Sequence, residues 1–245
     1  MRMDFIEGGP ALVVKNTMDV LVIADLHLGI ESDLERHGIH FRSRSAGRQE
    51  QVISCIEGAD PDLLVLLGDV KHNVPMTSRQ EFRELPGIFS SFRRLVEMRV
   101  FPGNHDTGID RFLSPEELMP AEGAVIDGTG YLHGHTCPSP SLSGHLICAG
   151  HHHPHIALQD EVGCSLRAPA YLLADLSAEC FGASPPAGRT RVLFLPAMNE
   201  FSGYDIRRIL RDPFSPLSRC VVKETAEVIL SDGTYIGLPD TLEDT

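Results

Sequence analysis

The sequence lacks several features that would classify it quickly. No apolar run reaches the roughly 18 to 20 residues that a membrane-spanning helix needs, and the opening MRMDFIEGGP has no signal-peptide core. Both absences predict a cytoplasmic protein. Six cysteines, Cys55, Cys137, Cys148, Cys164, Cys180 and Cys220, include no C-x-x-C pair. That argues against a zinc knuckle or a disulfide framework and predicts free thiols in a reducing compartment. No internal repeat or low-complexity tract stands out. Positive charge is also scarce: 21 basic residues against 34 acidic ones give a formal net charge of −13. The chain therefore has no general attraction for nucleic acid or anionic membrane, and any hold on a phosphate polymer must come from a local patch or bound metal.

What is present is an ordinary globular balance, 42% apolar and 22% charged, over 245 residues. That length suits one large domain, residues 1–245, better than two small ones. Short runs rich in Val, Ile and Leu end repeatedly in glycine-bearing polar turns: VLVIADLHLG at 20–29, DLLVLLGDV at 62–70, RVFPGNHD at 99–106, GYLHGH at 130–135 and HLICAGHHHP at 145–154. Such runs read as strands buried on both faces. Between the first three lie helical patterns. PGIFSSFRRLVEM places Ile88, Phe89, Phe92, Leu95 and Val96 on one face, with Pro86 at a favourable first position, and GRQEQVISCIE repeats the pattern with Val52, Ile53 and Ile56.

Strand, helix, strand, helix, strand predicts a βαβαβ unit with a parallel sheet. From about residue 122 the connections shorten, with strands expected at 122–126, 129–133, 146–150, 155–159, 170–175 and 191–196 in a second, largely antiparallel sheet. The tail CVVKETAEVILSDGTYIGLP reads as a hairpin around Asp232 and Gly233, and 182–189 as a loop. The fold class expected is α/β, a two-sheet mixed β sandwich flanked by helices.

Polar residues gather at the strand ends, where open α/β sheets place ligands. In an extended chain Asp25 and His27 share a side, as do His151 and His153, with His152 directed opposite. Asp69 follows LLVLLG. Asn104, His105 and Asp106 follow a tight turn at Gly103, and His133 ends the fourth run. Two divalent cations joined by a bridging carboxylate need about seven such groups, and two dications against only two carboxylates leave a positive site suited to a phosphate.

The ordered series DLH, GDV, GNHD, HGH and GHHH resembles the calcineurin-like metallophosphoesterase superfamily, whose pattern is D-x-H, G-D, G-N-H-D/E, a lone H and G-H-x-H. All five elements lie within residues 25–153. The longer stretches ADLHLGIESDLERHGI, LLGDVKHNV and FLPAMNEFSGYDI are similar to archaeal phosphoesterases related to the SbcD nuclease. The resemblance implies the sandwich fold, with Asp25, His27 and His153 on one metal, Asn104, His133 and His151 on the other, and Asp69 bridging. It implies His105 as general acid with Asp106 orienting its ring, and in-line attack on a phosphodiester by a hydroxide between the metals. Mn²⁺ is the metal expected for the nuclease branch, while the mixed His, Asn and Asp ligation also admits Fe, Zn or Ni.

The substrate class implied is a phosphodiester, in DNA or RNA. The acidic chain, and a length with no room for added DNA-capping and ATPase-docking segments, keep a small nucleotide phosphodiesterase or phosphatase open. A non-catalytic scaffold is disfavoured by the intact ligand set, and no protein partner can be named. Other residues have plainer readings beside functional ones. Either His133 or His135 can serve as the lone ligand, His133 being preferred because glycine follows it. His152 reads as a solvent or supporting residue, and His155 as a surface one. Lys71 and His72 sit within reach of a phosphate or in an exposed loop. Arg36, Arg42, Arg44 and Arg48 form a solvated charge run or a guide for a nucleic-acid backbone. Arg207, Arg208 and Arg211 are the outer face of a short helix with Ile206, Ile209 and Leu210 turned inward, and Cys148 and Cys164 are core residues.

Overall fold

The structure, a computed structural model, describes residues 1–6, 9–39, 42–159, 165–182 and 188–237. Its first sheet runs in the order β1 (Arg2–Phe5), β2 (Leu12–Lys15), β3 (Asp19–Ala24), β4 (Leu63–Leu67), β5 (Glu97–Val100). The β3, β4 and β5 strands are parallel, as βαβαβ order demands, and an antiparallel β1–β2 pair extends the β3 side. Crossing segments carry α1 (Ile30–Arg36), α2 (Ser45–Ala59) and α3 (Arg79–Arg93). All five β4 side chains are buried because both faces are covered. Leu64 and Leu66 pack with the helices, and Leu63, Val65 and Leu67 pack against the other sheet. Period-two alternation thus divides one apolar run between two cores.

The second sheet holds β6 (Ala124–Ile126), β7 (Thr129–Leu132), β8 (Leu146–Ala149), β9 (Pro154–Gln159), β10 (Ser165–Leu176), β11 (Arg191–Phe194) and β12 (Tyr204–Asp205), in the order β12-β9-β10-β11-β8-β7-β6. A short helix α4 (Ile206–Arg211) and the hairpin β13 (Val221–Leu230), β14 (Tyr235–Gly237) complete it, with β13 pairing β10. The expected strands are found, and the hairpin turns at Asp232 and Gly233. The sheet is mixed, however, because β7–β8, β8–β11 and β9–β12 pair in parallel. Short connections implied antiparallel neighbours, but β8 and β11 are joined through the long β9–β10 excursion and can align either way. Facing side chains from both sheets, including Val22, Leu67, Phe101, Tyr131, Tyr171 and Leu193, fill the interior of the sandwich.

Two local expectations need correction. The third helix begins at Arg79, seven residues before Pro86, because Ser78 and Glu81 make a capping box that fixes the start. Pro86 then lies within the helix on its exposed side, where the carbonyl that loses a donor is open to water. The cysteines are not all free: Cys180 and Cys220, 40 residues apart, form a disulfide where the 177–180 turn meets the start of β13. Sequence spacing cannot see that approach, and the argument from cysteines to a reducing compartment falls with it. Cys55, Cys137 and Cys148 are free, and Cys148 is buried in the core as expected. Cys164 and residues 183–187 of the expected loop lie outside the described residues. No helix among the described residues is long and apolar enough to cross a membrane.

Candidate metal centre

Each apolar strand hands its polar end to the same rim of the sandwich, but not by the route that strand alternation suggests. Asp25 (φ 55°), His27 (φ 44°), Asp69 (φ 44°), His151 (φ 68°) and His153 (φ 41°) all have left-handed backbones. Asp and His tolerate that region better than most residues, yet it costs free energy wherever the surroundings do not enforce it. Enforcement comes from hydrogen bonds that prolong the sheet past its last regular residue. His27 N–H donates to Asp69 O at 2.8 Å, Asp25 N–H to Gly68 O at 3.2 Å, and Asn199 N–H to Asp25 O at 3.2 Å. The two same-side pairs were anticipated, but their convergence comes from curling backbone and not from a pleat.

Three groups of candidate ligands result among the described residues: His27, His72 and His105 form one, and the expected ligands fall into two clusters. One gathers Asp25, His27, Asp69 and His153, all buried, and the other gathers Asp69, His133 and His151, so Asp69 belongs to both. Asn104 reaches the second through its Oδ1, 3.3 Å from His133 Nε2. Within them His153 Nε2 lies 3.1 Å from Asp25 Oδ1, His27 Nε2 3.7 Å from Asp69 Oδ2, and His133 Nε2 3.5 Å from Asp69 Oδ1. The seven residues expected as ligands are therefore together. His135 is not in either cluster, although its ring stands 5.2 Å from that of His133. His133 Nδ1 is bonded to Leu67 O at 2.9 Å, which makes that nitrogen the protonated one and leaves Nε2 with a free lone pair toward Asp69.

The donor set suits divalent ions. His27 Nε2 is buried without a hydrogen-bond partner, a cost that a metal bond would remove. Burial and the neighbouring histidines hold His27 well below the usual histidine range and push His151 down to about 2. Both are thus neutral imidazoles, the form that binds metal. For His153 burial opposes the charged form, yet the facing Asp25 and Asp69 carboxylates raise it above the usual range. A hard, mixed oxygen and nitrogen set of this kind serves Mn, Fe, Zn or Ni and has no thiolate to select a softer ion.

The calcineurin-like phosphoesterase model matches residues 18–151, more than half of the chain. The chain belongs to the calcineurin-like phosphoesterase family. With the two clusters, membership makes it a metal-dependent phosphoesterase capable of holding two ions. Among solved structures, a nuclease, MPE, from Pseudomonas putida is 16% identical and aligns with TM-score 0.56 over 96% of this chain and 100% of its own, a likeness of fold. Yfce, a phosphoesterase from E. coli, is 18% identical over 58% of this chain and 73% of its own, with TM-score 0.37. No curated protein matches significantly.

Around the phosphoesterase centre, several supporting residues differ from expectation. Asp106 does not touch the ring of His105. Its Oδ2 accepts from Gly103 N at 2.8 Å and its Oδ1 from Lys71 N at 3.1 Å, while burial and the Asp69 charge push its carboxyl up to about 6. The ring of His105 is held instead through Nδ1 by the carbonyl of His72. His72 itself stacks on His105 with ring centroids 5.2 Å apart, within the site, so its exposed-loop reading is set aside. Lys71, in contrast, is fully buried with Nζ bonded to Asn73 O, so it is not in an exposed loop. Gly103 matters for space more than for turning: a Cβ there would collide with the Asp69 carboxylate.

The arginine-bearing stretch departs from expectation at one position. Arg48 is buried, 3.0 Å from Glu31 and 3.1 Å from Glu200, Arg44 pairs with Glu200 at 3.0 Å, and Arg36 pairs with Asp33 at 2.8 Å. Arg48 is thus committed to an internal ion pair, whereas Arg36, Arg42 and Arg44 remain exposed, so the solvated-run reading fits three of the four. His152 is fully buried, bonded to Gly150 O at 3.0 Å and Ser215 Oγ at 2.8 Å, and burial pushes it down to about 3. It supports the histidine loop from beneath. His155 is half-buried under Gly203.

Two groups escaped the sequence reading. Glu81, fully buried, accepts at Oε1 from His72 N at 2.9 Å and Asn73 N at 2.8 Å, thereby fixing the segment whose carbonyl holds His105. The SRQE capping-box signature at 78–81 was the available signal for it. Tyr204 and Phe214 lie beside His153 and His151; Tyr204 sits in the FLPAMNEFSGYDI stretch but was given no role, and Phe214 carried no motif.

Proposed function

We propose that this protein is a dinuclear metal-dependent phosphodiesterase acting on nucleic acid, as one metallophosphoesterase domain. Asp25, His27 and His153 hold one ion, Asn104, His133 and His151 the other, and Asp69 bridges them. The observation that carries the reading is the sharing of Asp69 by both clusters, since one carboxylate common to two nitrogen-rich sets is what a bridged pair requires. Two such ions supply Lewis acidity and a water of lowered pKa, and Mn²⁺ is the proposed metal for an SbcD-like enzyme.

The chain's own residues do the rest. Because a carbonyl only accepts, the His72 contact keeps a proton on His105 Nδ1 and makes Nε2 the nitrogen that gives its proton to the leaving oxygen. Asp106 keeps the 103–106 turn closed, and the backbone N–H of His105 donates to Asp69 Oδ1 at 2.8 Å, so general acid and bridging carboxylate are held in one register. Burial keeps His27 and His151 neutral, so their nitrogens are open to a metal ion.

The nucleic-acid part of the reading rests on the SbcD-like stretches at 24–39 and 66–74 and on a fold that a nuclease also uses. A cytoplasmic location is proposed with it. The test is hydrolysis by metal-free protein with Mn²⁺ restored, on single- and double-stranded DNA, RNA and a panel of mono- and dinucleotides, with His105→Ala as contamination control. Polynucleotide cleavage lost in the variant is the expected result. Turnover of only small phosphoesters would replace nuclease by nucleotide phosphodiesterase, and no turnover on any substrate would defeat the catalytic reading.

A further inference from the structure

Tyr204 and Phe214 are large aromatic side chains left 37% and 38% exposed at the rim of the metal centre. Their ring centroids are 5.2 Å apart. Phe214 lies 5.5 Å from the ring of His151, and Tyr204 lies 6.0 Å from that of His153 in a nearly parallel stack. The two rings thus adjoin one candidate ligand from each cluster. Neither is loosely attached. Tyr204 N–H donates to His153 O at 2.9 Å, and Ser215, next to Phe214, is bonded to His152 Nε2.

We propose that Tyr204 and Phe214 form a stacking platform for the nucleobase next to the phosphate undergoing hydrolysis, an inference that rests on the phosphodiesterase reading above. Exposed rings fixed beside a phosphate-handling centre match a substrate whose aromatic group is covalently close to its phosphate. Stacking also suits this chain's charge: with a net charge of −13 it gains little from long-range attraction to a polyanion, whereas base–aromatic contact needs none. Local cations are present where the strand would continue. The Arg208 guanidinium lies 5.5 Å over the Tyr204 ring, and Arg208 has no carboxylate partner among the described residues. Arg208 and Tyr204 wall a hollow of about 210 Å³ with Arg167 and His155, which also line an adjoining cavity of about 700 Å³. The one carboxylate in the smaller hollow, Asp205, is paired with Arg207 at 3.0 Å.

The experiment compares two diesters with one leaving group, thymidine 5′-(p-nitrophenyl phosphate) and methyl p-nitrophenyl phosphate, on the Mn²⁺-loaded full chain. The parent should favour the nucleoside diester through KM. Phe214→Ala and Tyr204→Leu should lose about tenfold more kcat/KM on the nucleoside diester than on the methyl one, a loss in the range that single stacked bases command, and Tyr204→Phe should restore the preference. Fluorescence anisotropy of the metal-free chain should show an oligonucleotide binding more tightly than its abasic counterpart, with the difference shrinking in Phe214→Ala. Equal losses on both diesters, or equal binding of the abasic strand, would overturn the platform while leaving the phosphodiesterase reading intact. A phenyl ester preferred as strongly as the nucleoside would reassign the platform to aryl esters. Failure to hydrolyse either diester would remove the phosphodiesterase reading, and the inference with it.

Discussion

The two sheets contribute unlike chemistry to one centre. The first sheet supplies Asp25, Asp69 and Asn104, every oxygen donor in the set, together with His27. The second sheet supplies His133, His151 and His153, nitrogen alone. Neither cluster is complete on one sheet, so the site exists only where the two apolar faces have already packed. Ion binding should therefore work as a staple across the sandwich, drawing its stabilising effect from differential affinity for the assembled state.

The largest effect should come from breaking the one residue that serves both sides. Asp69→Asn should lower diester turnover by about a thousandfold or more and reduce metal content below two ions per chain, measured by elemental analysis. His151→Ala, which touches only one cluster, should retain one ion. Equal metal content in the two variants would contradict a shared carboxylate. Next, His105→Ala should slow a diester with a poor leaving group by about a hundredfold to ten-thousandfold with both ions still bound, and p-nitrophenyl esters much less. Parent-like rates on both would end the general-acid assignment.

Smaller effects test the packing behind the centre. Gly103→Ala forces the Asp69 carboxylate or the 103–106 turn to move and should cost about 1–3 kcal/mol in denaturant unfolding, together with lost metal affinity. The seam away from the ions is held in part by Asp127, which accepts from Thr17 N at 2.8 Å and Met18 N at 3.0 Å. Asp127→Ala should cost about 1 kcal/mol and leave turnover unchanged, because no ligand depends on it. A loss of activity there would mean that the two sheets communicate beyond the metal-bearing rim.

Much of the frame was legible because both-face burial leaves continuous Val, Ile and Leu runs, and because each run ends in a polar turn of one ordered set. Glu81 was readable from its capping box, yet Pro86 suggested a later helix start. Arg48 looked like surface charge, as Arg36, Arg42 and Arg44 are, because Glu31 is 17 residues from it in sequence and Glu200 is 152. Its partners become neighbours only after folding. The same holds for Cys180 with Cys220 and for Tyr204 and Phe214, whose meaning depends on which side chains stand beside them.

The left-handed backbone at five candidate ligand positions restricts what can replace them, whatever the chemistry. Asn and Gly enter that region at small cost, while Val, Ile or Thr meet a steric penalty from the branch at Cβ. Loss of a ligand would therefore be tolerated by the fold mainly when a small polar residue or glycine takes its place. A variant library screened for folding alone, with no demand for turnover, should show that bias at 25, 27, 69, 151 and 153 and not at 133, whose φ is ordinary.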